Sequence, residues 1–227
     1  LRKTIATRML ESLRVSAQLT SIVAVDVTPI DLARLAFGES GVGAPGEKLS
    51  HLAFIARATC EALAIHRELN ASLDLDAGTV TYHRDVNLGI AVDTERGLMV
   101  PVIAAANHLT VRGLVSRIGD VAKRTRDRQV AVDELAGGTF TLTNTGSRGT
   151  LVDTPILHQP QVGILGFGAV VRRPVVRAQP DGQEVIVVRS MAHLALTYDH
   201  RLIDGADAAR FLSRIKSRIE TEPFDIA

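Results

Sequence analysis

A chain of 227 residues, 46% hydrophobic, is long enough to bury one sizeable core. Its 26 Lys and Arg against 25 Asp and Glu leave a formal charge of +1, which excludes a global field for nucleic acid or an anionic membrane. A single cysteine excludes an intrachain disulfide and fits a reducing compartment.

No apolar run reaches the roughly 18 residues of a membrane span, so neither a membrane nor a nucleic acid is an expected partner. The chain opens on LRKTIATRMLESLR, with Ile5, Met9, Leu10 and Leu13 at helical spacing. That abrupt helical start, with no signal peptide, reads as a piece of a longer protein. LTSIVAVDVTPI alternates as a strand until Pro29, and IDLARLA follows as a short helix. FGESGVGAPGEK, rich in glycine, reads as a loop. Leu49 to Leu69 is the longest apolar-periodic helix, with Ser50 as N-cap and Cys60 as a buried, inert thiol.

TVTYHRDVNLGIAVDT and GLMVPVIAAA flank the DTERGL turn and predict a hairpin. Thr110 caps an amphipathic helix to Arg128, whose AKRTRDR run, flanked by Asp120 and Asp127, reads as a solvated face. TFTLTNTGSRG is a strand that breaks at Gly146, and VGILGFGAVVRRPVVRA a strand with glycines. QPDGQ is a turn, EVIVVRSMAHLALTYDH a long strand or bent pair, and Asp204 to Glu220 the last helix. Helices and strands mix throughout, so an α/β fold with a mixed or antiparallel sheet covered by helices is expected.

GILGFG lacks the third glycine and the helix of a dinucleotide site, and GSRG is not a nucleophile elbow. His51, His66, His83, His108, His158 and His193 are scattered without metal-ligand spacing, so no metal is expected. His200 differs. It follows the apolar run HLALTY at an element end, with Asp204 four residues on. Two readings stand on spacing alone. His200 is a general base near neutral pH, or it is a packed turn residue with Asp204 capping the last helix.

YDHRLIDG resembles the H-x-x-x-D-G motif of the dihydrolipoamide acyltransferases, the core subunits of 2-oxo acid dehydrogenase complexes. RKTIATRMLES, NASLD, LGIAVDTERGLMVPVI, GGTFTLTNTGS and DTPIL are similar to the family's other landmarks, in the same order, over Leu1 to about Glu220. The resemblance implies one acyltransferase catalytic domain over 1–227, without lipoyl or peripheral-subunit-binding domains. The fold it implies is chloramphenicol-acetyltransferase-like and two-layered, a mixed sheet under helices, trimeric with active sites at subunit interfaces. Coenzyme A as substrate and a lipoyl group on a separate domain would meet there, with no metal.

The same resemblance assigns roles. His200 is the base and Thr143, from the neighbouring subunit, the oxyanion donor. Asp204 is an aspartate that fixes the loop by pairing with an arginine. Ser50, Asp93, Asn144 and Gly168 match coenzyme A contacts. Their bland readings are an N-cap for Ser50, a turn residue for Asp93 and a strand bulge for Gly168. Lipoyl domains, a 2-oxo acid decarboxylase, dihydrolipoamide dehydrogenase and two further copies of the chain are the implied partners, in a bacterial cytoplasm. TNTGSRGTLVDTPIL favours acetyl, then branched-chain, then succinyl as the acyl group, with no basic residue obviously placed for a succinyl carboxylate. A non-catalytic scaffold and an antibiotic acetyltransferase are the competing functions.

Three departures stand out. DLARLAFGESGVGAPGEKLS is short and glycine-rich, which puts a coenzyme A-contacting arginine there in question. ETEPFDIA lacks a leucine-rich close, so a trimer that does not build a larger cage is expected, Pro223 ending the last helix. The lipoyl and peripheral-subunit-binding domains are the third, expected upstream in a longer parent.

Overall fold

The structure, a computed structural model, describes residues 2–40 and 48–226. The glycine-rich segment expected as a loop lies mostly at 41–47, outside the described residues. Helix α1 (Arg2–Val15) leads into β1 (Gln18–Asp26) and α2 (Thr28–Glu39). Pro29 stops the strand as expected, but it also sits in the first turn of α2, where a missing N–H costs nothing. The short helix predicted there is therefore 12 residues long.

Helix α3 (His51–Ile65) starts at Ser50, whose hydroxyl accepts from Ala53 N–H at 3.4 Å. It ends four residues before the predicted Leu69, and a 3₁₀ turn covers Arg67–Leu69. Asn70 sets that boundary by donating to the carbonyls of His83 and Asp85, at 3.1 and 3.2 Å. Those bonds join two strands, β2 (Ala71–Asp74) and β3 (Thr79–Tyr82), as a separate hairpin. The sequence reading missed β2 and ran β3 on into β4 (Leu88–Ile90) and β5 (Val92–Thr94). The predicted DTERGL hairpin is present, β5 pairing with β6 (Gly97–Met99).

After β7 (Val102–Ile103), Thr110 caps α4 (Val111–Arg126) by accepting from Gly113 N–H at 3.1 Å. Its basic run is a solvated face, as read: Lys123 bridges to Asp127 at 3.0 Å and Arg124 to Asp120 at 2.9 Å. Then come β8 (Phe140–Asn144), β9 (Gly163–Phe167), β10 (Val171–Ala178), β11 (Glu184–Asp199) and α5 (Gly205–Thr221). The main sheet runs β1-β11-β9-β8-β4-β7, with β10 also on β11. β8 is parallel to β4 and β9, and the other pairs are antiparallel, so the sheet is mixed. The apolar faces of α3, α4 and α5 join it in one core with Phe54, Phe140, Tyr198 and Phe211 fully buried.

Cys60 lies in that core, and burial pushes its thiol up to about 12, an inert group as expected. No described helix is long and apolar enough to cross a membrane. The β10–β11 hairpin projects past the sheet. Pro174, Val176, Ile186 and Val188 share one of its faces by register, and all four are exposed. The register leaves this apolar face uncovered, because the outward residues alternate with Val175 and Val187.

Candidate active site

The C-terminal end of β11 carries His200. Asp199 N–H donates to Val162 O at 3.0 Å and His200 N–H to Ala17 O at 2.8 Å, which fixes the backbone on both sides. The imidazole is 42% exposed, with the Tyr198 ring 5.7 Å away. Its Nδ1 lies 3.8 Å from Asp204 Oδ1, too long for a hydrogen bond.

Asp204 takes the N-cap position of α5, and Asp207 returns its carboxylate to Asp204 N–H at 3.2 Å. The expected arginine partner is absent: among the described residues no arginine pairs with Asp204, and its side chain is 81% exposed. The loop is locked by other residues. Asp199, 1% exposed, accepts Arg201 Nε at 2.9 and 3.1 Å and Nη2 at 2.7 Å. Its carbonyl also takes the N–H groups of Leu202 and Ile203. One buried carboxylate thus anchors the turn on which His200 sits.

Thr143 stands on the other side of the sheet's midline. The period of β8 turns Thr141, Thr143 and Thr145 to one face, where they line a cavity of about 380 Å³ with Ile164 and, from α1, Met9 and Arg8. A second cavity, about 550 Å³, adjoins it through Arg8, Met9, Val100, Leu135 and His158. Thr141 is occupied, donating to Gln161 Oε1 at 2.6 Å. Arg8 thus puts a cation on the Thr143 cavity, beside His158, whose imidazole burial and then Arg8 push down; the sequence reading foresaw neither.

Ser50, Asp93, Asn144 and Gly168 gather at one end of the sheet. Asn144 pairs in register with Phe167, next to Gly168, and His51, next to Ser50, has its ring 6.5 Å from Phe167. Asn144 Oδ1 accepts from Ser147 N–H at 3.2 Å, and Arg148 of the same turn pairs with Asp93. Asp93 is therefore a strand residue opposite Leu98, not a turn residue. Gly168 follows β9 where chains crowd: a Cβ would lie 2.0 Å from Leu151 O.

His200 and Thr143 do not meet within one chain. Thr143 pairs with Gly166, and Gly166 with Ala195. His200 is five residues past Ala195 along β11. At ~3.3 Å per residue and ~4.8 Å per strand, the two side chains are rooted about 19 Å apart.

A family model described as 2-oxoacid dehydrogenases acyltransferase (catalytic domain) matches residues 1–226. This chain belongs to that acyltransferase family. It is 48% identical, over 99% of its length, to the dihydrolipoyllysine-residue acetyltransferase component of pyruvate dehydrogenase complex from Mycobacterium bovis. It is 41% identical, over 97%, to the succinyltransferase component of the 2-oxoglutarate dehydrogenase complex from Haemophilus influenzae. It spans 41% and 52% of those proteins.

Among solved structures, the chain matches one from a study of a serine, a histidine and an asparagine in the catalytic mechanism of Azotobacter vinelandii dihydrolipoamide acetyltransferase. The TM-score is 0.89 at 30% identity, over 97% of this chain and 88% of that one. Chloramphenicol acetyltransferase matches in fold, at TM-score 0.59 and 16% identity over 94% of each.

Within this acyltransferase fold, the sequence reading missed one more cation at the Ser50 end. Arg34 of α2 donates from Nε to Leu49 O at 2.7 Å and from Nη1 to Asp31 at 3.3 Å. Asp31 also holds His51 Nε2 at 2.7 Å. Burial opposes the Asp31 charge, but hydrogen bonds from Ser190 and His51 outweigh it and keep the carboxyl below its usual range. Burial, then Arg34, pushes the His51 imidazole down. The segment was read as short and glycine-rich, with a coenzyme A-contacting arginine in question; helix α2 places Arg34 beside Ser50.

Proposed function

We propose that this acyltransferase moves an acyl group, acetyl first among the candidates, between a dihydrolipoamide arm and coenzyme A. The reading that carries it is the separation just described: a base on one end of the sheet and an oxyanion donor on the other, in a chain of this family. His200 of one subunit reaches the Thr143 cavity of the next, in a trimer. The exposed aliphatic face of the β10–β11 hairpin supports such association, because a two-stranded ribbon is marginal alone.

His200 takes the proton of the coenzyme A thiol, which is a poor nucleophile while protonated. The thiolate attacks the thioester carbonyl of acyl-dihydrolipoamide, and a carbon–sulfur bond forms. The Thr143 hydroxyl donates to the oxyanion of the tetrahedral intermediate. Collapse breaks the other carbon–sulfur bond, and the imidazolium returns its proton to the departing dihydrolipoamide sulfur. No acyl-enzyme is needed. Asp204 orders α5 beneath the histidine turn as its N-cap. Ser50, Asp93, Asn144 and Gly168, with Arg34 as an added cation, line the coenzyme A path.

The greater identity to an acetyltransferase supports acetyl over succinyl, although Arg8 places one cation on the Thr143 cavity. Lipoyl domains, a 2-oxo acid decarboxylase and dihydrolipoamide dehydrogenase are the partners of that role, in a bacterial cytoplasm. Purified protein mixed with acetyl-CoA and free dihydrolipoamide tests it. Thioester exchange above the buffer rate supports the enzyme; exchange at the buffer rate would leave a scaffold. A parallel series with succinyl- and isobutyryl-CoA ranks the acyl groups.

A further inference from the structure

The tip of the β5–β6 hairpin faces the end of α4 across a cleft of about 280 Å³. Arg96 lies on one wall, and Arg126 and Arg128 on the other. Met99 lines both this cleft and the Thr143 cavity, so the two spaces share a wall. Three guanidinium groups against the single carboxylate of Glu95 leave the cleft with two positive charges. Glu95 reaches Arg128 at 3.3 Å, but both are exposed, and such pairs are weak in water. Arg96 and Arg126 have no side-chain partner among the described residues.

Cations in the last turn complement the helix dipole, which accounts for Arg126. It does not account for Arg96, which approaches from the opposite wall. Nor does it account for Arg128, held at φ 62°, where glycine or asparagine would be the ordinary helix stop.

We propose that this cleft binds a phosphomonoester dianion, and that during acyl transfer it holds the 3′-phosphate of coenzyme A. The inference rests on the coenzyme A reading above and extends it. Asp93 lies on the same hairpin, three residues before Arg96, and pairs with Arg148 of the turn after Asn144, so the cleft adjoins the Asp93 end of the proposed coenzyme A contacts. In coenzyme A the 3′-phosphate is at the far end of the molecule from the thiol. Guanidinium forks suit phosphate oxygens, and contacts remote from the reacting atoms bind ground and transition states alike. Their loss therefore raises KM and leaves kcat unchanged.

Initial rates on the assembled protein, with coenzyme A and with 3′-dephospho-coenzyme A, test the cleft. Wild type should show a KM about tenfold higher for the dephospho form at equal kcat. The R96S/R126S double variant, altered only at exposed side chains, should raise the coenzyme A KM to the dephospho value and bring the ratio near one. Equal KM values in wild type, or a ratio that survives in the variant, would overturn the proposal. Inorganic phosphate should compete with coenzyme A in wild type; phosphate that binds by calorimetry without competing would assign the cleft to the free anion and overturn the coenzyme A reading. Transfer with neither thiol would sink the acyltransferase reading instead, and phosphate calorimetry on wild type and variant would then decide the cleft alone.

Discussion

In the proposed mechanism His200 and Thr143 act at different moments, and their substitutions should separate. His200→Ala removes the base and should lower kcat about 10²–10⁴-fold. Thr143→Ala removes a donor used only in the transition state and should cost about 10²–10³-fold in kcat, with the coenzyme A KM little changed. A Thr143→Ala variant that raised KM alone would reassign the threonine to substrate binding. Both candidates came from the family resemblance; spacing alone left His200 between a base and a turn residue. The partner of Asp204 was not legible in the sequence. Asp199 and Arg201 flank the histidine in sequence, yet only the folded turn shows that Asp199 is buried and takes the guanidinium, leaving Asp204 to cap a helix. Arg34 was hidden for the opposite reason: nothing in DLARLA says that α2 packs its arginine against the start of α3.

Elements were legible where periodicity runs long and caps are plain, as in α3 at Ser50 and α4 at Thr110. They failed at β2 and at the break between β3 and β4, where strands are three or four residues long. Asn70 bonds fix where the β2–β3 hairpin begins and ends, and β4 is set by its pairing with the distant β8, neither of which a period of two over so few residues can signal. Close packing between elements predicts a fragile point. Gly168→Ala puts a methyl against Leu151 O, and Gly146 is pressed on Gly168 in turn. Denaturant unfolding should show a loss of about 1–3 kcal/mol, with a raised coenzyme A KM; unchanged stability would mean that the loop yields freely.

The junction after α4 carries a pH prediction. Glu134 accepts both Nη atoms of Arg124 at 2.7 Å and Ala131 N–H at 3.0 Å, and Arg124 first, then that backbone bond, hold its carboxyl down at about 2. A depressed carboxylate stabilises the fold above its ordinary value of 4.5, and the contribution is lost as pH falls through about 2. The carboxyl carbon of Glu134, followed by NMR, should titrate near 2. A midpoint above 4 would show the clamp open in solution.

At the scale of the whole molecule, the tail turns back on its own chain. Phe224 meets Phe54 edge-on at 5.0 Å, with Arg218 4.0 Å above its ring, and Arg218 also holds Glu61 at 2.5 Å. We propose that residues 222–226, occupied in this way, do not join trimers. Light scattering at micromolar concentration should give a mass near three chains, and a megadalton particle would refute the tail argument. The central claim is a site shared between copies, and mixing two inactive variants tests it most directly. His200→Ala and Thr143→Ala chains, denatured together in equal amounts and refolded, form trimers in which about one interface in four pairs an intact histidine with an intact threonine. The account predicts recovery of up to roughly a quarter of wild-type activity. A mixture no more active than its two components would contradict it.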